Sequence, residues 1–339
     1  MIMNTEPSLS VVVCAYTLDR WDDLQAAITS VQSQRRPADD IVLVVDHCPG
    51  LYRLARYWLP GVRVVPNQYQ KGLSGARNTG VEAAVGDVVA FLDDDATAHP
   101  SWTDRLLTRY DDPAVVGVGG LIVPWWQTGR PAWFPPEFDW VVGCSYRGLP
   151  EEPSPVRNFI GANMSFRKDA LLAVGGFRTD LGRVGTRPLG CEETELCLRI
   201  SARRPGTVLL YEPSATVRHR VPETRARWAY FEQRCYAEGL SKALVVQHST
   251  SKTALASERT YLRSTIPRAF ARTLRPGRPA SLRTLVALSA GVSATVAGYT
   301  VGRIRSLRST DAPQPRVRAL HHRRRADSHA RDRVRRASP

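Results

Sequence analysis

The chain has 339 residues, 43% of them hydrophobic, and a formal net charge of +15. That is enough apolar material for a sizeable core in one large domain or two ordinary ones, and it excludes a chain without a core. The charge is uneven: residues 1–250 hold 27 Lys or Arg against 28 Asp or Glu, whereas residues 251–339 hold 20 against 4. The basic character belongs to a C-terminal appendage, not to the body of the protein. Six cysteines show neither a C-x-x-C pair nor zinc spacing, so reduced thiols in a cytosolic protein are the expectation. Met1 to Ser10 has no basic n-region and no apolar h-region, which argues against a secretory signal.

Taken in order, Leu9 to Ala15 reads as a first buried strand, with Tyr16 and Thr17 at its carboxyl end. Asp22 to Gln34 carries apolar residues at helical spacing. Ile41 to Val45 reads as a second strand ending in Asp46, Tyr52 to Trp58 as a helix, and Val62 to Val65 as a short third strand. Lys71 to Gly80 opens a helix leading to Val88–Leu92, an apolar run long enough for one buried strand and too short for a core helix. Strands alternating with helices imply parallel pairing in a doubly wound α/β sheet.

Directly after Leu92 stand Asp93, Asp94 and Asp95. Three adjacent carboxylates repel one another, and a hard divalent cation such as Mg²⁺ or Mn²⁺ relieves that repulsion. Ligands of open α/β sheets collect outside the carboxyl ends of the strands, where this cluster falls. The plainer reading is an acidic loop that caps the next helix, and for Asp46 alone a helix N-cap is the plainer reading too.

These pieces have a family likeness. Val11 to Tyr16, Val44-Val45-Asp46, Gly75-Ala-Arg-Asn-Thr-Gly80 and Phe91-Leu-Asp-Asp-Asp95 resemble, in order and spacing, the family 2 glycosyltransferases, which have the GT-A fold. The resemblance covers roughly residues 9–240. It implies a mostly parallel doubly wound sheet with helices on both faces. It also implies that Asp93-x-Asp95 is the motif that holds the metal, through Asp93 and Asp95, and the nucleotide sugar, which Asp93 and Asp94 would contact. Tyr16, Thr17, Asp46 and Arg77 would then lie along the nucleotide, although an Arg on a helix also serves as a salt-bridge partner.

The second half contains Gly117 to Pro124 and an aromatic segment with Trp125, Trp126, Trp133, Phe134, Phe138 and Trp140, more fitted to packing than to a platform for a sugar ring or an isoprenoid chain. Asn158 to Arg167 resembles the acceptor-side strand, where Asn163 and Ser165 serve as site residues or simply satisfy backbone groups. In Gly190-Cys-Glu-Glu-Thr-Glu the family has Glu-Asp, with the Asp as base; this chain has Glu-Glu, so the base falls on Glu193 or, one position off, on Glu192. Acidic residues in a first helical turn are also favoured by the helix dipole alone. By the same resemblance His219 completes the metal site, against the alternative of a structural histidine. Arg225, Arg227 and Arg234 are expected to neutralise the leaving diphosphate.

Thr284 to Gly302 is 19 residues without a charge, flanked by Arg275, Arg278, Arg283, Arg303, Arg305 and Arg308. It approaches transmembrane length but is rich in Ala, Gly, Ser and Thr, so a surface-bound or buried helix competes with a spanning one. Residues 251–310 are read as a helical, membrane-associating segment and 311–339 as a basic disordered tail. The expected protein is an inverting, metal-dependent glycosyltransferase with residues 1–250 as its catalytic domain. Its expected partners are a nucleotide-diphosphate sugar, a lipid-linked or glycan acceptor and an anionic membrane on its cytoplasmic face, with no specific nucleic acid. A sugar-nucleotide nucleotidyltransferase and a non-catalytic membrane- or nucleic-acid-binding protein are the alternatives. The first lacks its Gly-rich loop here, and the second leaves the acidic motifs idle.

Overall fold

The computed structural model describes residues 6–182, 190–248, 255–274 and 282–308. Its valine-rich runs form the centre of one sheet. β1 (Leu9–Ala15), β2 (Asp40–Val45), β3 (Arg63–Pro66) and β4 (Val88–Asp93) pair in parallel in the order β3-β2-β1-β4. α1 (Trp21–Gln32), α2 (Pro49–Trp58) and α3 (Leu73–Ala83) connect them. Successive residues of β1 point to opposite faces: Val11 and Val13 enter one core and Val12 the other, all fully buried. Leu24 and Ile28 of α1 cover the first face, Ala76 and Val81 of α3 the second. The doubly wound expectation holds for these four strands.

After β4 the alternation stops. The chain turns straight into β5 (Ala96–Ala98), then α4 (Trp102–Leu107), β6 (Val115–Trp126), β7 (Ser154–Pro155), β8 (Asn163–Arg167), α5 (Lys168–Ala173), α6 (Glu192–Arg203), β9 (Val208–Val221) and α7 (Trp228–His248). β8 runs antiparallel between β4 and β6, while β9 is parallel to β6 and antiparallel to β5. The sheet is therefore mixed, and less uniformly parallel than the alternation of the first half implied. Parallel pairing needs a crossover of a dozen residues or more, and the aromatic segment before β8 replaces the helix that would supply one.

Register places the site. Ala15 lies opposite Val45 and Cys14 opposite Asp93, so Tyr16, Asp46 and the Asp cluster share one sheet edge.

Three further helices, α8 (Ala256–Thr260), α9 (Ile266–Thr273) and α10 (Leu282–Arg308), belong to the appendage. α10 lies along α7 at backbone contact. A Cβ on Gly298 would come within 2.0 Å of the Tyr236 carbonyl oxygen, and one on Gly239 within 2.1 Å of that of Thr295. Ala287, Leu288, Gly291 and Gly298 are buried there, whereas Val286, Ile304 and Leu307 face outward. Among the described residues α10 is also the one helix long and apolar enough to cross a membrane. The expected disordered tail, 311–339, lies outside the described residues.

Candidate active site

The turn after β4 and the pairing of β5 with β9 build the metal centre. Ala96 sits opposite His219 in that ladder, and Arg220 N donates to the Asp95 carbonyl at 2.9 Å. His219 Nε2 consequently lies 3.1 Å from Asp95 Oδ1, and one ligand atom from each of Asp93, Asp95 and His219 falls within 4.8 Å of the others. Burial opposes ionisation of Asp95, but His219, Arg225 at 3.4 Å and Arg20 at 3.2 Å outweigh it and hold its pKa well below the usual carboxylate range. Asp94 is pushed up to about 7 by burial and by the neighbouring Asp95, against a 2.8 Å bond from Arg20 Nη1. Its Oδ2 is buried without a hydrogen-bond partner among the described residues. Two carboxylates and an imidazole, with a further carboxylate oxygen unsatisfied, fit a cation of the Mg²⁺ or Mn²⁺ kind.

Arg77 joins this centre to the acidic helix. Only 2% exposed, it gives Nη1 to Glu192 Oε1 at 2.8 Å and Nη2 to the Gly161 carbonyl at 3.2 Å, with Asp93 Oδ1 at 3.6 Å. Phe91 and Phe177 flank its guanidinium. Desolvation of the charge is outweighed by Glu192 and Asp93, and its pKa is raised. The rest of the Gly75–Gly80 stretch serves the same framework. Asn78 bonds both the N–H and the C=O of Phe177 at 2.8 Å, Thr79 Oγ1 accepts from Gln68 N, and a Cβ at Gly80 would collide with Val12.

Glu193 follows Glu192 but has a different environment. It lines a cavity of about 380 Å³ together with Asp93, His219, Arg77 and Arg225. Burial, and next the charge of Glu192, push its carboxyl up to about 8, although Arg77 opposes the shift.

The sequence profile described as glycosyl transferase family 2 matches residues 10–175. A glucosyl-dolichyl phosphate glucuronosyltransferase of Haloferax volcanii is 36% identical over 241 residues, 70% of this chain and 77% of that protein. The chain belongs to glycosyl transferase family 2. A pre-mycofactocin glycosyltransferase of Mycobacterium tuberculosis is 29% identical, covering 55% of this chain and 38% of the other. Two solved structures share the GT-A fold at 18% identity each. They are a mannosyltransferase of Pyrobaculum calidifontis in complex with GDP-Man and Mn²⁺ (TM-score 0.57; 89% and 88% of the two chains) and GalNAc-T7 with UDP, GalNAc and Mn²⁺ (0.52; 92% and 59%). Family membership makes the protein an enzyme of glycosyl transfer and removes the nucleotidyltransferase and the non-catalytic alternatives.

Within this family member the expected residues separate. Asp93, Asp95 and His219 come together, with Arg225 beside them, and Arg234 reaches the Glu193 cavity from α7. Tyr16 is exposed at the crevice under Arg20, and Thr17 caps the following turn by accepting from Asp19 N. Asp46 is fully engaged: Oδ1 meets Asn67 Nδ2 and His47 Nδ1, and Oδ2 accepts from Gly72 N. Its visible work is to hold the loop that opens α3. Arg227 is not brought to the site; it stands at the surface and pairs with Glu223 at 3.1 Å. Asn163 and Ser165 satisfy core groups, Asn163 bonding Trp102 and Ala215, Ser165 the Val118 carbonyl. Arg20, which grips Asp94 and Asp95, escaped the sequence reading because a lone Arg on a short turn carries no periodic signal. Glu238 and Lys242 escaped as well, since an i,i+4 pair inside a helix looks like surface decoration.

Two outcomes follow from the burial of these charges. Arg77→Met leaves Glu192 buried without its partner and is expected to cost about 3–5 kcal/mol in urea unfolding, a loss that Arg77→Lys, lacking the fork, restores only in part. Glu193 has a folded pKa above its unfolded one, from 4.5 to about 8, so stability falls as pH rises through that window. Glu193→Gln is therefore expected to melt like the wild type at pH 4 and at a higher temperature at pH 8.

Proposed function

We propose that this glycosyltransferase moves a sugar, with inversion at C1, from a nucleotide-diphosphate sugar to a hydroxyl of a sugar already linked to a polyprenyl phosphate. The observation that carries this reading is Glu193: a carboxyl pushed up to about 8 that lines the same cavity as Asp93 and His219. A general base matched to the operating pH is what a sugar hydroxyl requires. A bare lipid phosphate monoester, with a second pKa near 6, is already an anion at neutral pH and needs no base. The presence of the base therefore favours the glycosylated acceptor. The Haloferax relative, whose name specifies a glucosyl-dolichyl phosphate, supports the same class.

In this scheme the acceptor oxygen bonds to C1 as the bond from C1 to the diphosphate oxygen breaks, and Glu193 takes the hydroxyl proton. Glu192 stays ion-paired to Arg77 and sets the start of α6, so of the two glutamates it is the holder and not the base. Arg225 brings a guanidinium beside Asp95 to meet the departing diphosphate, and Arg20 fixes the turn that presents the carboxylates. Held by Asp93, Asp95 and His219, Mg²⁺ or Mn²⁺ would neutralise charge on the diphosphate.

A lipid-linked acceptor also gives the appendage a purpose. Because α10 is seated on α7 through glycines at backbone contact, we place it on a membrane surface, not across the bilayer, with its outward apolar side chains and the exposed Arg283, Arg305 and Arg308 towards anionic lipid. Six free cysteines fit the cytoplasmic face.

Glu193→Gln is expected to retain binding of the donor while slowing transfer roughly 10²–10⁴-fold. Wild-type transfer should climb with pH through about 8 and level off above it, and equal activity of the variant would remove the base assignment. Asp95→Asn should abolish transfer, as excess EDTA should in the wild type. The surface-bound reading is checked by washing membranes that carry the full-length protein: high salt is expected to release it, and retention would instead mark an inserted helix.

A further inference from the structure

The Glu193 cavity is closed on one side by α10, which lies wholly outside the residues matched by the family profile. Val292, Thr295, Val296 and Tyr299 fall at i, i+3, i+4 and i+7, one stripe of the helix, and all four line the cavity. Facing them are Phe138, Trp140, Tyr261 and Leu262. Val296 is 50% exposed and Leu262 44%, so the apolar lining runs from the interior out to the surface. Two sugar rings do not need such a wall.

Between the stripe and the base stands one face of α7. Arg234, Glu238 and Lys242 recur at every fourth residue there and all line the cavity. Consecutive residues touch its two sides: Glu238 Oε1 accepts from Cys191 Sγ at the start of the acidic helix, and Gly239 lies against Thr295 of α10. Lys242 reaches Glu238 at 3.1 Å and Glu258 at 2.9 Å, and Arg157 pairs with Glu258. Counting Arg259 at the mouth, four cations line this part of the cavity against two anions, Glu238 and Glu258. The lining thus passes from a carboxylate base, through a surplus of positive charge, to hydrocarbon.

That order matches an amphiphile with a hydroxyl head, a phosphate, and a linear apolar tail. We propose that the Val292–Tyr299 stripe of α10 is the groove for the isoprenoid chain of the acceptor, with its phosphate held among Arg234, Lys242 and Arg259. α10 is then part of the substrate site as well as an attachment surface. The inference rests on the lipid-acceptor reading above.

The test uses the full-length protein and calorimetric binding of inorganic phosphate, geranyl phosphate and farnesyl phosphate below their micellar concentrations. Farnesyl phosphate is expected to bind the wild type at least 10-fold tighter than geranyl phosphate, as added buried CH₂ groups require. Val296→Asp should erase that gain and leave the affinity for UDP and GDP in Mn²⁺ unchanged. Val286→Asp, on the same helix but outside the cavity, should keep the gain, and this control separates a groove from a damaged helix or a generally greasy surface. A gain that survives in Val296→Asp, or that disappears equally in Val286→Asp, overturns the groove alone. No dependence on tail length in the wild type overturns both the groove and the lipid-acceptor reading, while UDP or GDP binding in Mn²⁺ still reports an intact donor site.

Discussion

The buried guanidinium of Arg77 is the constraint from which the site takes its shape. A charge so deeply removed from water is tolerated only when paired and hydrogen-bonded, and Arg77 meets that demand with Glu192 on one side and Asp93 on the other. These two carboxylates belong to chain segments a hundred residues apart. By satisfying one cation they fix the distance between the end of β4, which carries the Asp cluster, and the start of α6, which carries Glu193. Phe91 and Phe177 keep water from the guanidinium, and Asn78 anchors the segment that carries Phe177. Rigidity at this point holds the Asp cluster and the acidic start of α6 in one fixed relation, which the proposed single displacement would need.

The same arrangement explains why adjacent glutamates differ. Glu192 spends its charge on Arg77 and becomes a structural member. Glu193, one residue on, is left to a cavity with the charge of Glu192 beside it, and its proton affinity rises. With Glu-Glu at this place, the first glutamate is ion-paired to Arg77 and the second faces the cavity.

Much of this was legible in the sequence, and the reason is that the first half obeys local rules. A valine run is a strand, an alternation of strands and helices is a parallel sheet, and three carboxylates at a strand end are an unfavourable cluster unless something binds them. Asp93 and Asp95 stood out in this way, whereas His219, which the structure brings beside them, and Glu193, which lines the same cavity, were singled out by family likeness. What escaped depends on tertiary approach. Nothing local announces that Arg20 will reach across to Asp94, or that both oxygens of Asp46 will meet neighbours in the loop that opens α3. The mixed half of the sheet escaped because its connections are aromatic loops whose path is set by packing against α7 and α10. The uncharged run at 284–302 offered membrane and core readings as rivals. α10 has a face for each: glycines and small residues against α7, larger aliphatic side chains outward.

The β5–β9 ladder has a consequence for the order in which the protein becomes functional during synthesis. Asp95 leaves the ribosome more than a hundred residues ahead of His219, and the two meet only when a three-residue strand pairs in one register with the far end of a fourteen-residue one. Until then the three aspartates lack the imidazole and Arg225 that temper their repulsion, so the nascent first half carries an unfavourable knot of negative charge. Closing that ladder relieves it. The same long-range contact, of the kind whose loop-closure cost slows folding, also brings His219 to the carboxylates.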